Sequence, residues 1–340
     1  MHRHMIWDNI FRDLIAGRIA RDHPLIYFDI GTRDGFQSDL LALAFAVHAV
    51  GFEPEPEEFQ RLNAAPDGRW ASARYLLNGI SANGGAKELY VSRDRIGTSL
   101  LKPNIELGRR FNMTQFFEVE KTVTMDTVTL GGAVADAGVD AIDYLKIDIE
   151  GAEFAVFQSA PAVLADTLAI KTEACYLPAR AGQGLVREID QVLSESGFQL
   201  MDIVHPVHWR RQGHVTHPFV SQTSPPYARG QLIHGDYLYF RDPDTIGDDR
   251  EKLLKMALIA MALGYFDHAL MILERPSIND YLTATYDAPA QYIIDEASSV
   301  YGRRAYRQAF WRQITGLVPY LRNMRNALFS GSPATPRQGS

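Results

Sequence analysis

Cysteine is nearly absent. Cys175 is the single one in 340 residues, which excludes an internal disulfide and any cysteine-based zinc cluster, and fits a reducing compartment. It lies in an apolar segment and reads as a small buried hydrophobe. Long hydrophobic runs are missing too. The longest, residues 40–52 and 256–266, fall short of the roughly 20 residues that a membrane-spanning helix needs. Asp8, Arg12 and Asp13 interrupt the N-terminus where a signal peptide would need an apolar stretch. The expected location is the cytoplasm. No block of like charge is long enough to read as a nucleic-acid or anionic-membrane surface, and 34 basic against 41 acidic residues give a net charge of −7, ordinary for solubility. What is present, 46% hydrophobic and 22% charged residues, suits a chain that buries a real core.

The chain is organised around residues 25–36, L-I-Y-F-D-I-G-T-R-D-G-F. Residues 25–30 are apolar β-formers, Gly31 and Gly35 close them, and residues 37–47 have apolar spacing that predicts a packed helix. Strand, glycine turn and helix in that order form the place where an open α/β sheet holds a nucleotide-like ligand. A dinucleotide fingerprint would be G-x-G-x-x-G. Here the spacing is D-x-G-x-x-x-G, with Thr32 and Arg33 where bare backbone would meet a phosphate. A ligand with an amino-acid end fits better, with Asp29 near its ammonium, Gly31 leaving room for a carbon chain and Gly35 letting the helix pack closely. About twenty residues on, a second strand (46–52) ends at Glu53, placed to accept hydrogen bonds from both ribose hydroxyls. The two elements in register are the signature of an S-adenosylmethionine site.

Before this unit, apolar spacing over residues 5–21 predicts a helix; after it, strands and helices alternate. Strands are expected at 73–80, 87–91, 117–125, 143–149, 167–174, 198–204 and 237–240, with helices at 57–63, 152–159 and 186–196, the last ending at Gly197. Residues 93–117 show no clear period and read as a long loop over the ligand edge. The alternation predicts a mostly parallel sheet whose last strand is antiparallel. From Asp248 the period is helical. G-Y-F-D-H-A-L-M-I-L-E-R (264–275) is similar to the turn and second helix of a tetratricopeptide repeat, but with one copy visible it reads as a helical hairpin packed on the main domain. The expected organisation is an N-terminal helix (1–23), the cofactor domain (24–245), a C-terminal helical extension (246–330) and a disordered tail (331–340).

Five strings, F-D-I-G-T-R-D-G-F (28–36), V-G-F-E-P-E-P (50–56), T-S-L (98–100), M-D-T-V (125–128) and above all D-Y-L-K-I-D-I-E-G-A-E (143–153), carry a resemblance over residues 24–240. The chain resembles the FkbM family of S-adenosylmethionine-dependent methyltransferases. That resemblance implies a class I Rossmann-like α/β fold, a seven-stranded mostly parallel sheet with helices on both faces. It also implies methyl transfer to a hydroxyl of a saccharide, glycan or secondary metabolite. The family often has A-L-S-D after the third strand, with the aspartate facing adenine. Ala82 stands in that place here, with Ser81, Asn83 or backbone groups as substitutes.

Methyl transfer to a hydroxyl needs in-line positioning and usually a base for the proton. Asp148 is the first candidate, as base or as orienter of the hydroxyl, at the strand end where such a sheet places its substrate. As it also stands beside the cofactor's place, it counts with Asp29, Gly31, Thr32, Gly35, Glu53, Ser81 and Ala82 as cofactor-binding. Glu150 is the second catalytic candidate. Glu153 reads as a helix cap and Lys146 as a partner for a carboxylate. Carboxylates at one strand mouth can hold Mg²⁺, but the string lacks the tight aspartate cluster of related metal-using sugar methyltransferases, and no metal is assigned. Glu173, His205 and His208 are candidates for the acceptor side, the last two from a segment that also carries His214, His217, Trp209 and the Arg210–Arg211 pair. The expected partner is a small-molecule or glycan hydroxyl compound, with no nucleic acid and no transmembrane segment. Two rivals are a non-catalytic cofactor-binding scaffold whose C-terminal helices bind a partner, and a nicotinamide-dependent dehydrogenase, which the missing middle glycine disfavours.

Overall fold

A computed structural model describes residues 7–65, 67–211 and 230–329. His214, His217 and the expected tail at 331–340 lie outside the described residues. In chain order the strands are β1 (Leu25–Ile30), β2 (Val47–Phe52), β3 (Ser72–Leu76), β4 (Gly79–Ile80), β5 (Gly85–Ser92), β6 (Val119–Val128), β7 (Tyr144–Ile147), β8 (Ala169–Cys175), β9 (Phe198–Ile203), β10 (Val207–Trp209) and β11 (Gln231–Arg241). Those of the main sheet run in the order β10-β11-β8-β7-β1-β2-β3, with β9 also on β11. All pair in parallel except β11, which is antiparallel to β8, β9 and β10. Because β9 and β10 share one edge of β11, eight strands occupy the seven places of a class I methyltransferase sheet. β10 falls in the polar segment where no strand was expected.

The central strands are buried on both sides, as a parallel sheet requires, and their alternation assigns each residue to a face. Phe28, Ile30, Val50, Phe52, Leu145 and Ile147 join the core under the helices Leu130–Ala137, Glu153–Ser159, Pro161–Asp166 and Val186–Glu195. Leu25, Tyr27, Val47, Ala49 and Tyr144 face the other side. There the structure departs from expectation. Residues 37–47 form no α-helix; a 3-10 helix at Leu41–Ala46 leads directly into β2. Gln37 N donates to Asp29 (2.9 Å) and Asp39 is clasped by Lys171 (2.7 Å). With Gln37 and Asp39 pinned to the sheet, seven residues remain before Val47, too few for an α-helix and a loop. The N-terminal helix is likewise shorter than its spacing predicted, running over Ile15–Asp22. Asn9 instead docks on the 3-10 helix, donating from its N to Leu41 O and accepting from Phe45 N, both at 2.7 Å.

The space that a helix at 37–47 would have filled is closed by the C-terminal helices. The helix Arg250–Leu263 buries nine residues, from Leu253 to Ala262, in the same core as Leu25, Tyr27 and the 3-10 helix. Lys255 ties it to Asp143 beneath β7 (3.3 Å). Gly264, at φ +92°, turns the chain into Phe266–Leu273, giving the expected hairpin. Pro276–Tyr286 and the long helix Ala290–Phe329 follow. Among the described residues no helix is long and apolar enough to cross a membrane.

The stretch expected as one strand at 73–80 is divided. β3 stays in the main sheet, while β4 joins a second, three-stranded sheet of order β4-β6-β5. Residues 93–117 are not one open loop either. They hold a 3-10 turn (Arg95–Gly97) and the short helices Ile105–Arg110 and Thr114–Phe117. Both helices depend on contacts distant in sequence: Leu107, Phe111 and Phe117 pack with Ile233 and Ala179, and Trp209 lies against them.

Candidate functional site

A cavity of about 730 Å³ opens at the carboxyl ends of β1, β2 and β7. Its floor includes Gly31, Glu53 and Asp148, its roof comes from β5 and β6, and residues 95–100 close one side. That volume lies within the range of cofactor and small-molecule sites.

Gly31 is required by contact as well as conformation. Its φ is +85°, and an added Cβ would stand 2.1 Å from the carbonyl oxygen of Asp148. The Cβ position is therefore taken by the end of β7, while the backbone of Gly31 borders the cavity. Asp29 also departs from its expected role. It is fully buried and off the cavity wall, because alternation puts it on the inner face with Tyr27. There it accepts from Tyr27 OH (2.8 Å) and Gln37 N (2.9 Å), and lies 3.2 Å from Lys146 Nζ. Burial pushes its carboxyl pKa up against those partners, and a direct contact with a cofactor ammonium is closed to it. Lys146 reaches the wall instead, donating to Gly31 O (3.2 Å) and standing 3.7 Å from Asp148. Burial would lower its ammonium, but Asp29 and Asp148 outweigh this and hold it above its ordinary value.

Four further residues expected at the cofactor are off the wall. Thr32 is buried, its methyl packed towards Gly51. The Ser81 hydroxyl is occupied by Thr127 (2.7 Å) and Gly84 N (3.0 Å), and Ala82 follows it; the wall here is Leu77, Asn78, Gly79 and Ile80. Gly35, at φ +98°, serves the turn and has Tyr75 and Leu62 of the helix Pro56–Ala64 as neighbours, in place of the helix expected at 37–47. Glu53, in contrast, stands on the wall at the end of β2. It is 4% exposed, and its Oε1 accepts from Glu55 N (2.8 Å). Burial raises its carboxyl to about 7. A buried carboxyl facing a cavity, with no ion pair among the described residues and its burial opposed only by the Glu55 N–H and the charge of Arg33, suits a ligand that brings hydroxyl donors.

On the other side of β1, Asp148, Glu150 and Glu173 each offer an oxygen within 4.8 Å of the others. Glu150 sits in the turn after β7 at φ +57°, its carbonyl accepting from Ser99 Oγ (2.9 Å). Its carboxylate meets Arg180 at 3.1 Å. Burial, then Glu173 and Asp148, raise its carboxyl pKa, with Arg180 opposing them. Glu173 is raised by burial and pairs with His234 Nδ1 at 3.2 Å. Burial alone would lower His234, but Glu173 holds its imidazole above the usual range. Two of the three carboxylates thus have cationic partners already; Asp148, at the cavity, has only the longer contact with Lys146. Glu153, expected as a helix cap, is instead the first residue of the helix Glu153–Ser159, and its carboxylate accepts from Ile149 N in the turn before it (2.8 Å); burial raises it to about 8.

Arg180 and His234 were not foreseen. Arg180 is 2% exposed, donates to Gly97 O (2.9 Å) and lies over the rings of Phe116 and Phe117 at 5.1 Å each. It therefore bolts residues 95–117 to Glu150. Nothing local in A-R-A-G-Q marks it. His234 had a signal, since H-G-D-Y-L-Y-F alternates and sets His234 and Asp236 on one face of β11, opposite Cys175 and Glu173. Of the expected histidines, His205 is exposed and bonded to Asp236 (3.0 Å). His208 is exposed on β10. Neither lines the cavity, because both sit on the far edge of β11. Glu173 alone of the three acceptor-side candidates reaches the carboxylate cluster.

The sequence profile of the methyltransferase FkbM domain matches residues 29–200, half of the chain. The chain belongs to the FkbM methyltransferase family. As a family member it is an S-adenosylmethionine-dependent methyltransferase, and both Glu53 and the Asp148 turn lie within the matched segment. No curated protein matches the chain significantly. Solved structures with similarity include the Methanococcus jannaschii fibrillarin pre-rRNA processing protein (11% identity, TM-score 0.33, 64% of this chain and 67% of that one). Others are the magnesium protoporphyrin IX methyltransferase of Synechocystis with bound SAM (9%, 0.32, 67% and 76%) and the 23S rRNA methyltransferase ErmE (11%, 0.30, 85% and 96%). At these values they say nothing of this protein's acceptor.

Proposed function

We propose that this FkbM methyltransferase acts on a hydroxyl oxygen, with a saccharide, glycan or related hydroxyl compound as acceptor. The observation that carries the reading is the position of Asp148: on the cavity wall, next to Glu150 and Glu173, and across β1 from Glu53. When bound, S-adenosylmethionine supplies an electrophilic methyl group. Glu53 accepts hydrogen bonds from the ribose hydroxyls, and Gly31 keeps the end of β1 close against β7. Asp148 orients the acceptor hydroxyl and receives its proton at a carboxylate oxygen, a role that lowers barriers by about 10²–10⁴-fold. Lys146 keeps Asp148 aimed. Glu150 and the Glu173–His234 pair border the acceptor, and Glu150 is the second candidate for the proton.

The test is methyl transfer from labelled S-adenosylmethionine to an extracted glycan or oligosaccharide fraction by the full chain. The reading expects label in an ether linkage stable to mild base, and its loss in Asp148→Asn. Label on nitrogen or carboxyl oxygen, or full activity in Asp148→Asn, would overturn it.

A further inference from the structure

The long helix Ala290–Phe329 spans about 60 Å at 1.5 Å per residue, and its two parts differ completely. Up to Tyr301 it is packed: Ala290, Ile293, Ile294 and Ala297 are buried, and Tyr301 lies against Trp7 and Phe266. Beyond Gly302 no described side chain is buried. Yet this part is rich in large apolar residues. Tyr306, Phe310, Ile314, Leu317, Leu321 and Met324 recur at steps of three and four, which sets them along one face. Trp311 and Val318 widen that stripe and are 61% and 72% exposed. Gln308, Arg312 and Thr315 lie on the opposite face.

Charge follows the same division. Residues 297–340 contain seven arginines, no lysine and no acidic residue. As the chain totals −7, the other 296 residues carry −14. Among the described residues none of Arg303, Arg304, Arg307, Arg312, Arg322 and Arg325 pairs with a carboxylate. The arginines are too dispersed in sequence to read as a basic block; the helix gathers them around an apolar stripe.

We propose that residues 302–329 form a lipid-binding arm that docks the protein on an anionic phospholipid bilayer, lying in the interface with its apolar stripe among the acyl chains. An exposed helix with aromatic and aliphatic residues on one face and arginines beside it is the composition of interfacial helices. Anionic headgroups complement the arginines, while the −14 remainder is repelled, so that the arm alone approaches the surface. A second copy of the chain fits less well. The heptad-spaced run from Phe310 extends less than three heptads, is interrupted by Pro319, and continues toward the N-terminus into Arg307 and Arg303, with no acid on either strand to answer them. A nucleic acid would engage the arginines but leave the apolar stripe in water. The inference is independent of the methyl acceptor.

Cosedimentation of the full chain with vesicles tests it, comparing phosphatidylcholine alone with phosphatidylcholine containing about a third phosphatidylglycerol. Binding is expected on the anionic vesicles only, falling about tenfold or more between about 0.1 and 0.5 M salt. Phe310→Glu with Leu317→Glu abolishes it, and Arg304→Ser with Arg307→Ser weakens it about tenfold. Thermal unfolding of the domain stays unchanged in both, because these side chains are exposed. The proposal is overturned by absent binding at low salt, by equal binding to neutral vesicles, or by variants that bind like the parent. It is also overturned if ultracentrifugation finds a dimer that Phe310→Glu dissolves, or if the chain binds RNA homopolymer tightly and Leu317→Glu makes no difference.

Discussion

Glu53 and Asp148 lie on either side of β1, at the ends of two strands, yet the protein treats their charges in opposite ways. Glu53 is buried without an ion pair among the described residues, and its carboxyl rises to about 7. Around Asp148 three carboxylates converge, and the chain supplies Lys146, Arg180 and His234 to meet them. The lone acid is left to be satisfied by a ligand. The cluster is already held by its own cations, which fixes positions before any acceptor arrives.

Asp148→Asn should have the largest effect, lowering turnover by about 10²–10⁴-fold, while S-adenosylhomocysteine affinity by calorimetry changes less than about threefold. Next comes Arg180→Ala. It strands the Glu150 carboxylate and releases residues 95–117, so denaturant unfolding should show a loss of roughly 3 kcal/mol. Arg180→Lys should recover only part of it, since an ammonium cannot reach Gly97 O and Glu150 as a fork does.

Glu53→Ala should weaken S-adenosylhomocysteine binding by about tenfold to a hundredfold with little change in stability. Its raised pKa adds a pH dependence with a definite sign. Below about 7 the carboxyl is protonated in the free protein and loses acceptor strength, so affinity should fall as pH drops, by at most about tenfold per unit. Glu53→Gln should flatten that profile. The smallest effect is expected at Glu153, where Gln keeps the acceptor for Ile149 N and should cost under about 1 kcal/mol at about pH 4, where the parent carboxyl is protonated in both states. Because burial raises Glu153 to about 8, the stability it contributes is present at acid pH and declines as pH rises from about 4.5 to 8. Glu153→Gln should remove that decline, visible as a higher melting temperature than the parent above about pH 8.

Much of this was legible in residues 25–36, 50–56 and 143–153, where spacing in one segment specifies turns and strand ends. The inward placement of Asp29 is legible in L-I-Y-F-D-I, where it shares a face with Leu25 and Tyr27, and that face is core. The 3-10 helix was not legible, because it is set by Lys171 clasping Asp39 from 132 residues away. Arg180 meets Glu150 and Gly97 across 30 and 83 residues, and no local pattern announces such a contact. The division of 73–80 into two sheets depends on β6, more than forty residues later.

The most direct measurement is calorimetry of S-adenosylhomocysteine with the parent protein, Glu53→Ala and Asp148→Asn at about pH 7.5. The account predicts binding to the parent, a loss of about tenfold or more in Glu53→Ala, and near-parent affinity in Asp148→Asn. No binding to the parent, or a loss in Asp148→Asn equal to that in Glu53→Ala, would contradict the division of roles on either side of β1.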